Sequence, residues 1–317
     1  MTRTIAIALT MLLAPATAPT AIAGPTAAMP DGAARTDPVA TQLDHISVAT
    51  MGKGDPVVLI PGLSSPRAVW DVVAPGIAKG HKLYLVQVNG FAGGDPRGNL
   101  DPGILDGIVA DLHEYIARNK IEGAAVVGHS MGGLVALMLA KAYPDDAGKL
   151  MIVDSLPYVG DIFMPGATVA QVEPQARAMR DQQKASYGKP ADAANVKATA
   201  MGLALKPSSQ STVAQWFEAA DPRVSAQAMY EDMTTDLRPD MASIDTPITL
   251  VYPLVRPDAE GARRRILPRR IFKGARGDLR RHRRCRAFCD ARSAGGVHCG
   301  GRCISGRLSK GGPFAPT

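Results

Sequence analysis

Cysteine is missing from the first 284 residues of this 317-residue chain. No disulfide framework can therefore support the body of the protein, whatever compartment holds it. Histidine is scarce, with six in the chain and only four before residue 254. Apolar runs long enough to suggest several membrane spans are lacking, which excludes a multi-span membrane protein. No repeat period of the collagen or solenoid kind is present. A Gly-rich phosphate-binding loop is also absent, so no nucleotide is implied and no cofactor is expected.

What is present reads as a soluble globular chain of one large domain or two ordinary ones. Apolar residues make up 46% and charged residues 21%, close to the globular average, which excludes a disordered polyelectrolyte. The net charge of +7 hides a split near residue 254. Residues 1–254 hold 19 basic and 25 acidic side chains, and residues 255–317 hold 17 and 4. All four cysteines (Cys285, Cys289, Cys299 and Cys303) and 15 of the 24 arginines also fall in that last stretch. An affinity for nucleic acid or anionic membranes, the usual reading of a basic protein, would concern the tail alone.

Arg3, the apolar run from Ile5 to about Pro15 and Ala21-Ile22-Ala23 follow the order of a secretory signal peptide. Residues 1–23 are therefore expected to be removed on export to the periplasm or medium, leaving no membrane span. Residues 24–42, rich in Ala, Pro, Thr and Gly, read as a linker. From residue 43 to 254 apolar β-type runs alternate with amphipathic helices. Val57–Ile60, Leu83–Val88, Ala124–Val127, Leu150–Val153 and Ile248–Tyr252 are the runs. Residues 103–119 and 131–143 are the clearest helices. That alternation predicts a mostly parallel sheet flanked by helices. Residues 160–243 read as helices without a strand, a cap inserted over one edge of the sheet.

Gly128-His129-Ser130-Met131-Gly132 joins a predicted strand directly to a predicted helix. A nucleophile on such a sharp turn needs small neighbours on both sides, because strand and helix approach closely. The helix start also aims N–H groups and the positive end of its dipole at the serine.

With these features the chain resembles the α/β-hydrolase family, over roughly residues 43–254. The resemblance implies a Ser130 nucleophile, and an oxyanion hole built from the backbone N–H groups of Leu63 and Met131. It implies a small-molecule substrate with an ester-type bond, and gives no reason to expect nucleic acid or a metal. Residues 160–243 sit where the family inserts its cap. Asn89 stands where the family more often has Asp. The family's acid usually follows the strand ending here at Tyr252, where Pro253-Leu254 offers none. A variation places it one strand earlier, at Asp154, which can equally serve as a structural cap for Ser155-Leu156-Pro157. Cofactor-free haloperoxidases and lyases share the same triad and fold. An inactive binding protein is a further alternative, because no histidine of the body is placed to act as base: His129 adjoins the serine but is expected to point away.

Residues 255–317 admit three readings. The spacing C-x₃-C-x₉-C-x₃-C with His282 and His298 contains zinc-type ligands, but not at the separations of common fingers. A nucleic-acid arm would lack interleaved aromatics. The third reading, out-of-frame translation and a disordered tail, is preferred. Starting each codon at the second base of the printed one, Ala287 to Ala294 permits His-Phe-Ala-Met-Leu-Asp-Gln-Pro, which resembles the family's histidine loop. A stop codon becomes available within Ile304–Leu308. A GC-rich gene read out of frame also yields arginine codons.

Overall fold

The computed structural model describes residues 40–253 and the backbone of 277–282. Its strands are β1 (Thr41–Gln42), β2 (Ile46–Met51), β3 (Asp55–Ile60), β4 (His81–Val88), β5 (Ala124–His129), β6 (Ala147–Val153), β7 (Ile248–Pro253) and β8 (Gly277–His282). They form one sheet in the order β1-β2-β4-β3-β5-β6-β7-β8. Strands β3 to β8 run parallel; β2 runs antiparallel to both its neighbours.

The two-sided burial of the central strands follows from their unbroken apolar runs. Val58 and Ile60 join the cluster on one face, and Val57 and Leu59 the cluster on the other. β5 divides the same way, with Val126 on the first face and Val127 on the second. Helices α1 (Ala74–Ile77), α2 (Ile104–Arg118) and α3 (Met131–Ala142) cover the sheet. On α2 the stripe Ile104, Ile108, Leu112 and Ile116 is buried, while Asp106, Glu114 and Arg118 stay exposed. Asp111 of α2 accepts from the N–H groups of His45 and Ile46 at 2.7 and 3.1 Å and so fixes the start of β2.

Two segments depart from the sequence reading. Thr41–Gln42, placed in the linker by composition, pairs with Ser47–Val48. Gln42 also reaches Asn89, donating from Nε2 to Oδ1 at 2.9 Å. The Asn89 amide in turn donates to the carbonyls of Leu43 and Asp44 at 3.1 and 2.8 Å, two bonds that an ionised Asp cannot make. In the tail expected to be irregular, Gly277–His282 pairs with β7, from Ile248↔Gly277 to Pro253↔His282. Pairing uses backbone groups that every residue of that segment carries. The four cysteines, His298 and the signal segment lie outside the described residues.

Between β6 and β7 stand α4 (Gly160–Phe163), α5 (Val169–Lys184), α6 (Ala193–Leu203), α7 (Pro207–Ala219) and α8 (Pro222–Thr234). Among the described residues this cap contains no strand. Tyr158, Val172, Ala176 and Met233 give it a small core of its own. Helix α8 is its seat on the body. Asp221 N–H donates to Gly90 O at 2.7 Å, and Leu237 N–H donates to Pro157 O at 2.8 Å. The Glu231 carboxylate accepts from the N–H groups of Gly103 and Leu105 at the start of α2, at 2.7 and 2.9 Å.

One group in this seat works against the fold. Asp232 is buried, and its Oδ1 has no hydrogen-bond partner among the described residues. Burial pushes its carboxyl up from 3.8 to about 7. Between those two values the unfolded chain binds fewer protons than the folded one. Stability should therefore fall as pH rises from about 4 to about 7 and level off above. Asp232→Leu is expected to abolish that slope and to raise the melting temperature at pH 8, read from thermal unfolding across pH.

Candidate active site

The end of β5 and the start of α3 are forced together. A Cβ on Gly128 would lie 2.1 Å from Gly132 O, and a Cβ on Gly132 would lie 2.5 Å from both Ile60 O and Pro61 O. Those distances are below any real contact, and the obstructing atoms are backbone. Only glycine lets α3 rise this steeply from β5 while resting on the end of β3.

Between them Ser130 takes φ 52°, ψ −125°, a backbone state disfavoured for a residue with a side chain. Its N–H donates to Val153 O at 2.9 Å, and its carbonyl accepts from Gly133 N–H at 2.7 Å. These bonds hold the turn from the β6 side and from α3. Met131 is the first residue of α3, so its N–H has no acceptor within the helix.

The loop after β3 roofs the serine. A Cβ on Gly62 would stand 3.1 Å from Ser130 Cβ and 3.1 Å from His129 Nδ1. Leu63 follows, within a turn closed by Ser65 N–H donating to Gly62 O at 3.1 Å. The structure thus gathers Gly128, His129, Ser130, Met131, Gly132 and the Leu63 loop at one point on the C-terminal edge of the sheet.

Asp154 stands on the next strand end, one position past Val153, which pairs with His129. It also holds a positive φ of 47°, and its N–H donates to Val251 O at 2.8 Å. Its carboxylate acts on His129. Burial holds that imidazole below the usual histidine range, and the Asp154 charge partly offsets this. Beside Ser130 there is accordingly a neutral ring flanked by Gly62 and Asp154.

The other described histidines are engaged elsewhere. His45 Nδ1 lies 3.6 Å from Asp111 and His81 Nδ1 3.2 Å from Ile77 O. His113 stacks on Tyr143 and pairs with Asp146 at 2.9 Å. Among the described residues no three His, Cys, Asp or Glu side chains converge as metal ligands, and no helix is long and apolar enough to cross a membrane.

Sequence reasoning passed over two residues here, Ser64 and Ser225. The Ser64 hydroxyl donates to that of Ser225 at 2.8 Å, with both side chains buried. Serines 161 positions apart leave no local signal. A hint lay in Gly62-Leu63-Ser64-Ser65, a turn with no glycine at its third position.

Replacing Gly132 by Ala tests the close approach directly. The added methyl is expected to destabilise the fold by about 2 kcal/mol or more in urea unfolding.

The comparisons with known proteins agree with this geometry. Residues 55–224, more than half of the chain, match the model of the alpha/beta hydrolase fold family. A pimeloyl-[acyl-carrier protein] methyl ester esterase of Aeromonas hydrophila is 31% identical over 112 residues, 35% of this chain and 42% of that protein. The enzyme of the same name from Sodalis glossinidius is 27% identical over 213 residues, 64% of this chain and 76% of its own. Several of these matches, the first among them, span less than half of the relative's length. A thermophilic esterase from Thermogutta terrifontis superimposes with a TM-score of 0.59 at 16% identity, over 76% of this chain and 89% of that one. At that identity the likeness speaks for the fold alone. By its family match, its sheet order and its strand-turn-helix elbow, the chain belongs to the alpha/beta hydrolase fold family.

Proposed function

We propose that the protein is an exported serine hydrolase acting on a small-molecule ester through Ser130. The observation that carries this reading is the strained serine at the β5–α3 turn, roofed by the Gly62–Leu63 loop. A backbone state this costly is kept where a reactive hydroxyl has to stand clear of its surroundings. The methyl ester esterase relatives support a carboxylic ester as the bond cleaved.

In this mechanism the Ser130 Oγ attacks the carbonyl carbon and its proton passes to a base. The carbonyl oxygen becomes an oxyanion, met by the N–H groups of Leu63 and Met131 and by the positive end of α3. Collapse expels the alcohol, which takes the proton back from the base. Water then attacks the acyl-serine by the same route and releases the acid.

His129 fits the part of base poorly: it is half-buried, its basicity is lowered, and its ring is turned toward Gly62 and Asp154. We propose instead that the base is a histidine of the shifted reading frame beyond residue 254, oriented by Asp154. The printed chain would then be an impaired form of the enzyme. Export rests on the signal-like segment 1–23.

Reaction with an ethoxy fluorophosphonate, followed by mass spectrometry, tests the reading. The adduct is expected on Ser130 and on no residue of the Ser130→Ala variant; adduct elsewhere, or none at saturating reagent, would refute it. Restoring the frame at codons 254–255 should raise the labelling rate by about 10³-fold or more, the scale on which a triad member contributes. An equal rate in both forms would defeat the frame proposal and leave the nucleophile standing.

A further inference from the structure

The turn that carries Leu63 is not self-supporting. Gly62 to Ser65 is closed by the bond from Ser65 N–H to Gly62 O, which makes Ser64 the third residue. There Ser64 has φ 54°. Turns of this kind take glycine or asparagine at that position because a Cβ opposes the positive φ. Ser64 must therefore be held in place from outside the turn, and the structure shows what holds it. Its hydroxyl meets Ser225 Oγ at 2.8 Å, and the two residues are only 1% and 2% exposed.

Ser225 is a firm anchor. It lies in the first turn of α8, where its N–H donates to Asp221 O at 2.9 Å, and Asp221 N–H is itself bonded to Gly90 O. Val224 beside it fills the space over Gly90, where an added Cβ would meet Val224 Cγ2 at 2.7 Å. The Asp221 carboxylate, pushed up by burial but held below its usual range by the combined bonds and charge of Arg223, caps the helix through Arg223 N–H at 2.8 Å. The helix start is thus fixed on the loop after β4 before Ser225 reaches across to the loop after β3.

We propose that Ser225 is a positioning residue for the oxyanion hole: from the cap helix it holds Ser64, and through Ser64 the Leu63 N–H over Ser130. The assignment rests on the serine-hydrolase reading above. It makes the seating of α8 and the stabilisation of the oxyanion parts of one arrangement. A cap that is unseated leaves the nucleophile in place but its electrostatic partner misplaced. Such a defect acts on the transition state, where the charge develops, and not on ground-state binding.

The test compares Ser225→Ala, Ser64→Ala and the double variant Ser64→Gly/Ser225→Ala with the parent chain. Rates are taken per Ser130 titrated with the ethoxy fluorophosphonate, and kcat and KM with p-nitrophenyl acetate. Each alanine variant is expected to lose about 10- to 100-fold in labelling rate and in kcat, with KM within twofold, part of what deletion of an oxyanion donor costs. Glycine adopts the positive φ without help, so the double variant should label at least fivefold faster than Ser225→Ala. A purely structural role would lower the number of titratable sites and the melting temperature, without slowing the sites that remain. Unchanged per-site rates in the alanine variants, or no recovery in the double variant, would overturn the assignment. Where Ser225→Ala fails to fold, Ser64→Ala against Ser64→Gly decides the same point: equal slowing overturns it. A parent chain in which Ser130 takes no label at all would bring down the serine-hydrolase reading itself, a result distinct from a labelled parent with indifferent variants.

Discussion

The contact between backbones at the C-terminal end of β5 governs the rest of the site. Gly128 touches Gly132, and Gly132 rests on the carbonyls of Ile60 and Pro61. Because no side chain fits between them, three pieces of backbone from β3, β5 and α3 share a space that would otherwise hold one packing layer. Ser130 has no choice of conformation inside that constraint. Its positive φ, the helix start behind it and the Gly62 loop in front are consequences of one close approach. The strain is tolerated because the surrounding core is two-sided and fully packed, so the turn cannot relax without opening both clusters.

Around that rigid centre the electrostatics are less settled. Asp154 and His129 form a partly compensated pair beside the serine. Asp232, in the cap, has no compensation that the structure shows, and its carboxyl sits at about 7. A body optimised for stability would carry an apolar residue there. Asp232 shares a face of α8 with Ser225, seven positions earlier. The destabilising carboxyl and the serine that holds the oxyanion loop therefore lie along one stripe of the helix that seats the cap. Concentration of cost at this seat fits the rule that rigid cores surround, and support, less stable working parts.

Much of this could be read before any coordinates, and the reason is locality. Val57–Ile60 announces a doubly covered strand because every residue of it is apolar, and the structure sends alternate residues into opposite clusters. The elbow is legible because its requirement for small residues falls within five consecutive positions. The antiparallel β1–β2 edge was not legible, since Gln42 finds Asn89 only after the sheet has formed. Nor was Ser64–Ser225, whose partners are 161 residues apart, nor the neutral tendency of Asp232, which depends on what packs over it. Composition placed Gly277–His282 in an irregular tail because it is polar and arginine-rich, whereas an edge position in a sheet asks chiefly for free backbone groups.

The position of β8 bears on where a base can come from. Three strand spacings, about 14 Å, separate it from β5, and the registers set Arg280 level with Val251, Val153 and His129. His282 stands two residues further along, at the outer edge of the sheet and paired with Pro253. On the reading proposed for Ser130, a proton acceptor has to approach across β7 and β6, because the backbone of β8 runs three strands away from the turn that carries the serine.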